Sequence, residues 1–171
     1  MSQTLFTNIM IFDGSGEKSY QGEVLIQGNR IQKVAKGRKQ IDRDGAKLVD
    51  GGGTTLMPGL INGHSHAAMT LLRGIADDLD LMDWLQNYIF PAEVEFVDEE
   101  FVRIGTELAC WEMIRGGTTT FVDMYYYPDT IAHVVEQCGM RAYVSATVID
   151  QRSPDAENAA DSLVKGQAFI D

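Results

Sequence analysis

The first fifty residues alternate short apolar runs with turn-forming residues, which is how strands read in a sequence. Leu5 to Phe12 is an apolar run that stops at Asp13-Gly14. Val24, Leu25 and Ile26 are followed by Gly28-Asn29 and then by Ile31 and Val34. Two β-rich runs joined by residues that accept unusual dihedrals predict a β-hairpin. Gly51-Gly52-Gly53 breaks the alternation and Pro58-Gly59 follows, so a domain boundary is expected near residue 57.

Beyond it the rhythm becomes strand, helix, strand, helix. Leu60 to His66 reads as a short strand and Leu79 to Phe90 as a helix. Asp98 is a suitable N-cap for the next helix, with Glu99 and Glu100 in the first turn where the helix dipole favours them. Phe101, Ile104, Leu108 and Trp111 recur on one face, and Gly116-Gly117 ends the element as C′ glycines do. Thr118 to Asp123 is a β-branched strand. Pro128 opens a helix with Ile131, Val134, Val135 and Cys138 on its apolar side, and Gly139 closes it. Arg141 to Ile149 is the third strand, and Ser153-Pro154 predicts an N-cap and N1 proline for a last helix. Short strands alternating with helices imply parallel βα units.

The 171 residues suffice for a domain with a real core, and the composition is 44% hydrophobic and 23% charged, ordinary for a soluble globular protein. The formal net charge is -11 and no basic stripe is present, which argues against a nucleic-acid partner. No apolar run approaches the ~20 residues that a membrane span needs. The N-terminus lacks the basic and apolar regions of a signal peptide. Cys110 and Cys138 belong to no CxxC pair and read as buried free thiols in a reducing compartment. Together these features predict a cytoplasmic protein.

The chemistry concentrates in Pro58-Gly59-Leu60-Ile61-Asn62-Gly63-His64-Ser65-His66. In a strand, residues i and i+2 face the same way, which sets the two imidazoles roughly 6–7 Å apart at Cα. Two ring nitrogens at that spacing reach one divalent ion at ~2.0–2.1 Å. Gly59 and Gly63 are expected to leave room for metal and substrate. His133, between Ala132 and Val134, reads as a helix-surface or packing histidine. Asp77 and Asp78 resemble an acid–base pair but fit capping or salt-bridging of the following helix better. Trp84 could line a cleft, although an indole in an amphipathic helix is more often core. Arg73 and Asp123 read as structural pairing groups, and Met82, Met113, Met124 and Met140 as core filler. On residue pattern alone, Glu93 is a solvated loop carboxylate beside Glu95.

The run MPGLINGHSHAAMTLLRGIADDLDLMDWLQNYIFPAEVEF closely resembles the ATZ/TRZ branch of the amidohydrolase superfamily, and within it the methylthioadenosine/S-adenosylhomocysteine deaminases. ELACWEMIRGGTTTFVDMYY and CGMRAYVSATVID fit the same pattern. The resemblance implies an α/β fold: a TIM-like (β/α)8 metal-dependent hydrolase barrel joined to a small composite β-sandwich domain built from both chain ends. On that template residues 1–57 are the N-terminal part of the sandwich. Residues 58–171 are the first strands and helices of the barrel, truncated.

The same resemblance makes His64 and His66 metal ligands for Zn²⁺, with Fe²⁺ a further candidate. It makes Glu93 a substrate contact through ribose hydroxyls. The family's other ligands and its proton-shuttle glutamate find no match, since His133 reads as a helix-surface or packing histidine and no histidine follows it. No catalytic acid–base residue is therefore assigned within these residues, and the fragment alone is expected to be inactive.

The implied reaction is hydrolytic deamination of the adenine ring of 5′-methylthioadenosine, S-adenosylhomocysteine or adenosine, releasing ammonia. Many members that take S-adenosylhomocysteine carry an arginine just after the third strand. Here the residues are Ser145-Ala146-Thr147, with Arg152 the nearest later candidate, which favours a smaller nucleoside. Competing readings are a guanine or cytosine deaminase, an s-triazine chlorohydrolase, or a non-catalytic scaffold. The expected partner is a small-molecule nucleoside, with a homo-oligomer compatible.

Overall fold

The computed structural model describes residues 2–171. It contains two compact units, the first ending at Pro58 and the second running Gly59–Asp171.

In the first unit, β1 (Gln3–Ile11) pairs antiparallel with β2 (Tyr20–Gln27), and β2 pairs antiparallel with β3 (Arg30–Lys36). β4 (Ala46–Asp50) and β5 (Thr55–Leu56) add parallel to β1. The hairpin forms where the turn residues lie, with Gln27 opposite Arg30 and Gly28 at φ 58°. Its core is Ile9, Ile11 and Val24, packed by Phe6, Tyr20, Ile26 and Leu56. One carboxylate is buried beside this core. Glu23, 1% exposed, accepts hydrogen bonds from the backbone N–H groups of Lys39, Gln40 and Ile41 and from the Arg43 guanidinium. Burial raises its pKa, but those four donors together outweigh burial and hold it below the usual carboxylate range.

The second unit runs β6 (Leu60–Ser65), a 3-10 turn (Ala67–Leu72), α1 (Leu81–Trp84), a π turn (Leu85–Ile89), α2 (Phe90–Phe96), α3 (Glu99–Arg115), β7 (Thr118–Tyr125), α4 (Pro128–Cys138), β8 (Arg141–Ala146) and α5 (Ala159–Ile170). The strands form a parallel sheet in the order β6-β7-β8. Parallel strands need crossovers, and helices supply them here. The core between sheet and helices holds Val102, Ala109, Cys110, Phe121, Ile131 and Val134. Asp98 caps α3 by accepting from the Phe101 N–H at 2.8 Å, and Gly139, at φ 71°, ends α4. Cys110 and Cys138 are both free. Burial, with the neighbouring Cys138 thiol, pushes Cys110 up to about 12. Among the described residues no helix is long and apolar enough to cross a membrane.

Several elements depart from the sequence expectation. The buried face of α3 is Val102, Gly105, Thr106, Ala109 and Cys110, while Ile104 and Trp111 point outward. Close approach decides this: a Cβ on Gly105 would collide with the backbone of Ala68, so the helix turns its small residues inward. The helix expected over 79–90 starts at Leu81 and continues past Pro91 to Phe96. The π turn ahead of Pro91 makes that residue part of the first turn of α2, where a missing N–H costs nothing. Ser153 and Ala156 instead close a tight turn, and Asn158 caps the last helix by accepting from the Ala160 and Asp161 N–H groups. The third strand ends at Ala146 because pairing with β7 ends there. Met113 and Met140 pack on the core, but Met82 and Met124 are exposed and are not core filler. Asp77 and Asp78 are exposed, and neither makes a cap bond or salt bridge among the described residues.

A candidate metal and substrate site at the end of the parallel sheet

β6 does not stay regular to its end. Its pairing with β7 shifts between Asn62 and Ser65, which sit opposite Phe121 and Asp123. One extra residue in β6 is a bulge, a device that re-aims a side chain. It brings the His64 and His66 rings to 5.0 Å between centroids, edge to face at 81°. His64 is exposed, and His66, immediately past the strand, is half-buried.

Three consecutive residues of β7 hold this turn. The Ser65 hydroxyl lies 2.9 Å from the Val122 carbonyl oxygen and 2.8 Å from Asp123 Oδ1. The same Oδ1 accepts from the Ala67 N–H at 2.7 Å. His66 Nδ1 lies 2.7 Å from the Met124 carbonyl oxygen. A carbonyl only accepts, so Nδ1 carries the hydrogen, and Nε2 of the neutral ring keeps its lone pair. Metal-binding histidines characteristically donate their other ring N–H in this way, which fixes tautomer and orientation. His64 and His66 are therefore the residues that could hold a divalent ion. Among the described residues no group of three or more His, Cys, Asp or Glu side chains is placed to do so. Catalytic zinc sites use three protein donors, and these two histidines could supply two of them.

Asp123 is fully buried and its Oδ2 has no hydrogen-bond partner. Burial pushes its pKa above the usual aspartate range, against the Ala67 N–H and the Ser65 hydroxyl. Its role is wider than a pairing group: it ties the residues on both sides of His66.

A cavity of about 260 Å³ opens beside His66. Met69, Leu81, Trp84, Phe90, Met124 and Ile149 give it apolar walls, so Trp84 lines a cleft rather than filling a core. Glu93 lies on α2, not in a loop, and is 4% exposed. Its Oε1 accepts from the Tyr125 hydroxyl at 2.8 Å and its Oε2 from the Tyr126 hydroxyl at 3.1 Å. Burial raises the Glu93 pKa, and the two tyrosine bonds only partly offset it.

Some expected site features lie elsewhere. A Cβ on Gly59 would collide with the Thr119 side chain, so this glycine serves packing rather than room for a ligand. Gly63 does sit in open space. His133 is on the exposed face of α4, bonded to Gln137 at 2.8 Å. Arg73 pairs with Glu112 at 2.6 Å, and Arg152 is exposed and lies 3.7 Å from Glu157. Tyr125 and Tyr126 were not singled out by sequence reasoning. The available signal was a run of tyrosines at the end of a parallel strand, where active sites of α/β barrels are built.

Comparison with known proteins places this geometry in context. The amidohydrolase family model matches residues 55–170. The chain is 42% identical over 167 residues to 5-methylthioadenosine/S-adenosylhomocysteine deaminase of Carboxydothermus hydrogenoformans, covering 98% of this chain and 38% of that protein. It is 49% identical over 148 residues to 5′-deoxyadenosine deaminase of Methanocaldococcus jannaschii, covering 86% of this chain and 34% of the relative. The chain thus spans less than two fifths of the length of these curated relatives. Among solved structures, an adenosine deaminase from Xanthomonas campestris with bound zinc matches at TM-score 0.75 and 32% identity, over 96% of this chain and 39% of that one. Atrazine chlorohydrolase from Arthrobacter aurescens, complexed with zinc, matches at TM-score 0.81 and 21% identity, over 98% of this chain and 42% of that one. The second likeness is one of fold.

Proposed function

Because this chain belongs to the amidohydrolase family, we propose that it forms the metal-binding opening part of a hydrolytic deaminase acting on the adenine ring of a small nucleoside. Residues 1–57 supply part of a composite β-sandwich domain, and residues 58–171 supply the first βα units of a (β/α)8 barrel. The observation that carries the reading is the His66 ring, whose Nδ1–H is committed to the Met124 carbonyl beside His64 at the mouth of an apolar cavity.

His64 and His66 would hold Zn²⁺, or Fe²⁺, together with donors from the rest of the protein. When bound, such an ion supplies Lewis acidity and lowers the pKa of water toward ~7, which is what hydrolysis of an amino-substituted ring needs at neutral pH. The apolar walls take up the purine and keep bulk water from the reacting carbon. Glu93 accepts hydrogen bonds from ribose hydroxyls and orients the nucleoside. Ammonia and the inosine analogue are the products.

Substrate size follows from what surrounds the end of β8. Ser145, Ala146 and Thr147 stand there, and Arg152 is 73% exposed. Among the described residues that line the cavity there is no lysine or arginine to receive an amino-acid carboxylate. The reading therefore favours 5′-methylthioadenosine or adenosine over S-adenosylhomocysteine. It is tested by ammonia release from the full-length enzyme against these three nucleosides, guanine, cytosine and s-triazines. Turnover led by the two smaller nucleosides is expected, and preference for guanine, cytosine or a triazine would overturn it.

A further inference from the structure

We propose that Tyr125 and Tyr126 are specificity-determining residues that preset the Glu93 carboxylate to accept two adjacent hydroxyl groups. The inference rests on the reading of Glu93 as the sugar contact and adds to it how that contact is selective.

Consecutive residues of a strand point to opposite faces. Tyr125 ends β7 and Tyr126 follows it, yet both hydroxyls reach the same carboxylate. Their rings lie 4.7 Å apart and are tilted by 47°. The chain leaves the strand here, and Tyr127 takes the left-handed conformation, φ 53° and ψ 57°. That conformation is uncommon for a bulky residue and persists only where its surroundings enforce it. Here Asp155 accepts from the Tyr127 N–H at 3.0 Å, and the Tyr127 hydroxyl donates to the Pro154 carbonyl at 2.9 Å. The turn that follows is thereby fixed just after the two phenols that share one acceptor.

The geometry of acceptance then matters. A carboxylate offers about four lone-pair sites, two on each oxygen. Each tyrosine occupies one site on a different oxygen, so one remains on each. Tyr125, Tyr126 and Glu93 are all at most 5% exposed, so little water competes for them. Glu93 lines the cavity beside His66. A carboxylate fixed in this way is matched by a ligand with two neighbouring O–H donors, one for each oxygen, which is the pattern of a ribose cis-diol. A ligand with a single hydroxyl leaves one oxygen with its tyrosine bond alone and forgoes one charge-assisted hydrogen bond.

The test is the steady-state kinetics of the metal-loaded full-length enzyme with 5′-methylthioadenosine and its 2′-deoxy analogue. Each of Tyr125→Phe and Tyr126→Phe removes one hydroxyl and keeps the ring. Each should lower kcat/KM for the ribonucleoside about ten-fold, the worth of one hydrogen bond to a charged group. The loss should fall mainly on KM, while the 2′-deoxy analogue is much less affected, so the preference for ribose collapses. A purely structural role would lower both substrates together, and that result overturns the proposal. The two variants are read independently, so a folding failure in one leaves the other to decide. Glu93→Gln separates the two layers. If it leaves the ribose preference intact, Glu93 is not the sugar contact and the proposal falls with that reading. If it abolishes the preference while both phenylalanine variants keep it, Glu93 stands and the tyrosine proposal alone is overturned.

Discussion

Asp123→Ala is the sharpest perturbation of the proposed metal site that leaves both histidines in place. The Asp123 carboxylate accepts from the Ala67 N–H at 2.7 Å and lies 2.8 Å from the Ser65 hydroxyl, so it braces the chain on both sides of His66. Hydrogen bonds to a charged acceptor contribute about 1.5–3 kcal/mol each. Ala67 is 4% exposed, so water does not readily replace the acceptor lost from its N–H. Against this, removing the side chain also removes a buried Oδ2 that has no partner, and relieves its desolvation. The two effects leave a net destabilisation of about 1–3 kcal/mol. The effect on metal is larger than stability alone implies, because the backbone on both sides of His66 loses its brace, leaving only the Met124 carbonyl to orient the ring. Loss of a group that orients a metal ligand typically costs about 10–100-fold in affinity, and that loss is expected here. Asp123→Asn keeps an acceptor oxygen and should retain most of the affinity. The assay is zinc competition between the full-length enzyme and a chelator of known affinity. Unchanged zinc affinity in Asp123→Ala would refute the idea that β7 positions His66.

Two further outcomes test other parts of the molecule. The full-length enzyme carrying His64→Ala and His66→Ala together should lose bound metal and deaminase activity in parallel, since too few donors remain for a tight site; normal zinc or iron content by elemental analysis would reject the assignment. Glu23→Gln should cost about 1.5–3 kcal/mol at neutral pH in chemical denaturation, because a charged acceptor of three backbone N–H groups becomes neutral. The sign with pH follows from its depressed pKa: its contribution is present above the ordinary Glu value of about 4.3 and is lost as pH falls through the lower folded value. A wild-type advantage that persists undiminished at the acid end of the titration contradicts this account.

The parts of the fold that sequence reasoning recovered depend on local chemistry. Gly28-Asn29 permits a two-residue hairpin wherever it occurs between β-rich runs. Asp98 caps α3 through an N–H only three residues away. The failures share a different cause. Large apolar residues at 101, 104, 108 and 111 specify a helical face, but the face that packs is chosen by the close contact of Gly105 with Ala68, a neighbour 37 residues back along the chain. Pro91 reads as a helix stop until a π turn ahead of it changes which position it occupies.

The site divides in the same way. His64 and His66 are legible because two imidazoles two positions apart in a strand already have metal-ligand spacing. The structure brings the two rings together through a bulge rather than through a regular strand, so their closeness is legible although the route to it is not. Asp123 meets Ser65 and Ala67 across separations of 58 and 56 residues, and Tyr125 meets Glu93 across 32. No local pattern encodes those contacts; they exist because β7 pairs parallel with β6 and its end meets Glu93 of α2. The proposed metal-ligand pair is thus written in residue type and spacing, whereas its support is written in strand register. That difference predicts where changes of specificity should arise without loss of metal: at Tyr125 and Tyr126, on the strand end that faces the carboxylate, rather than at the histidines that the sequence displays.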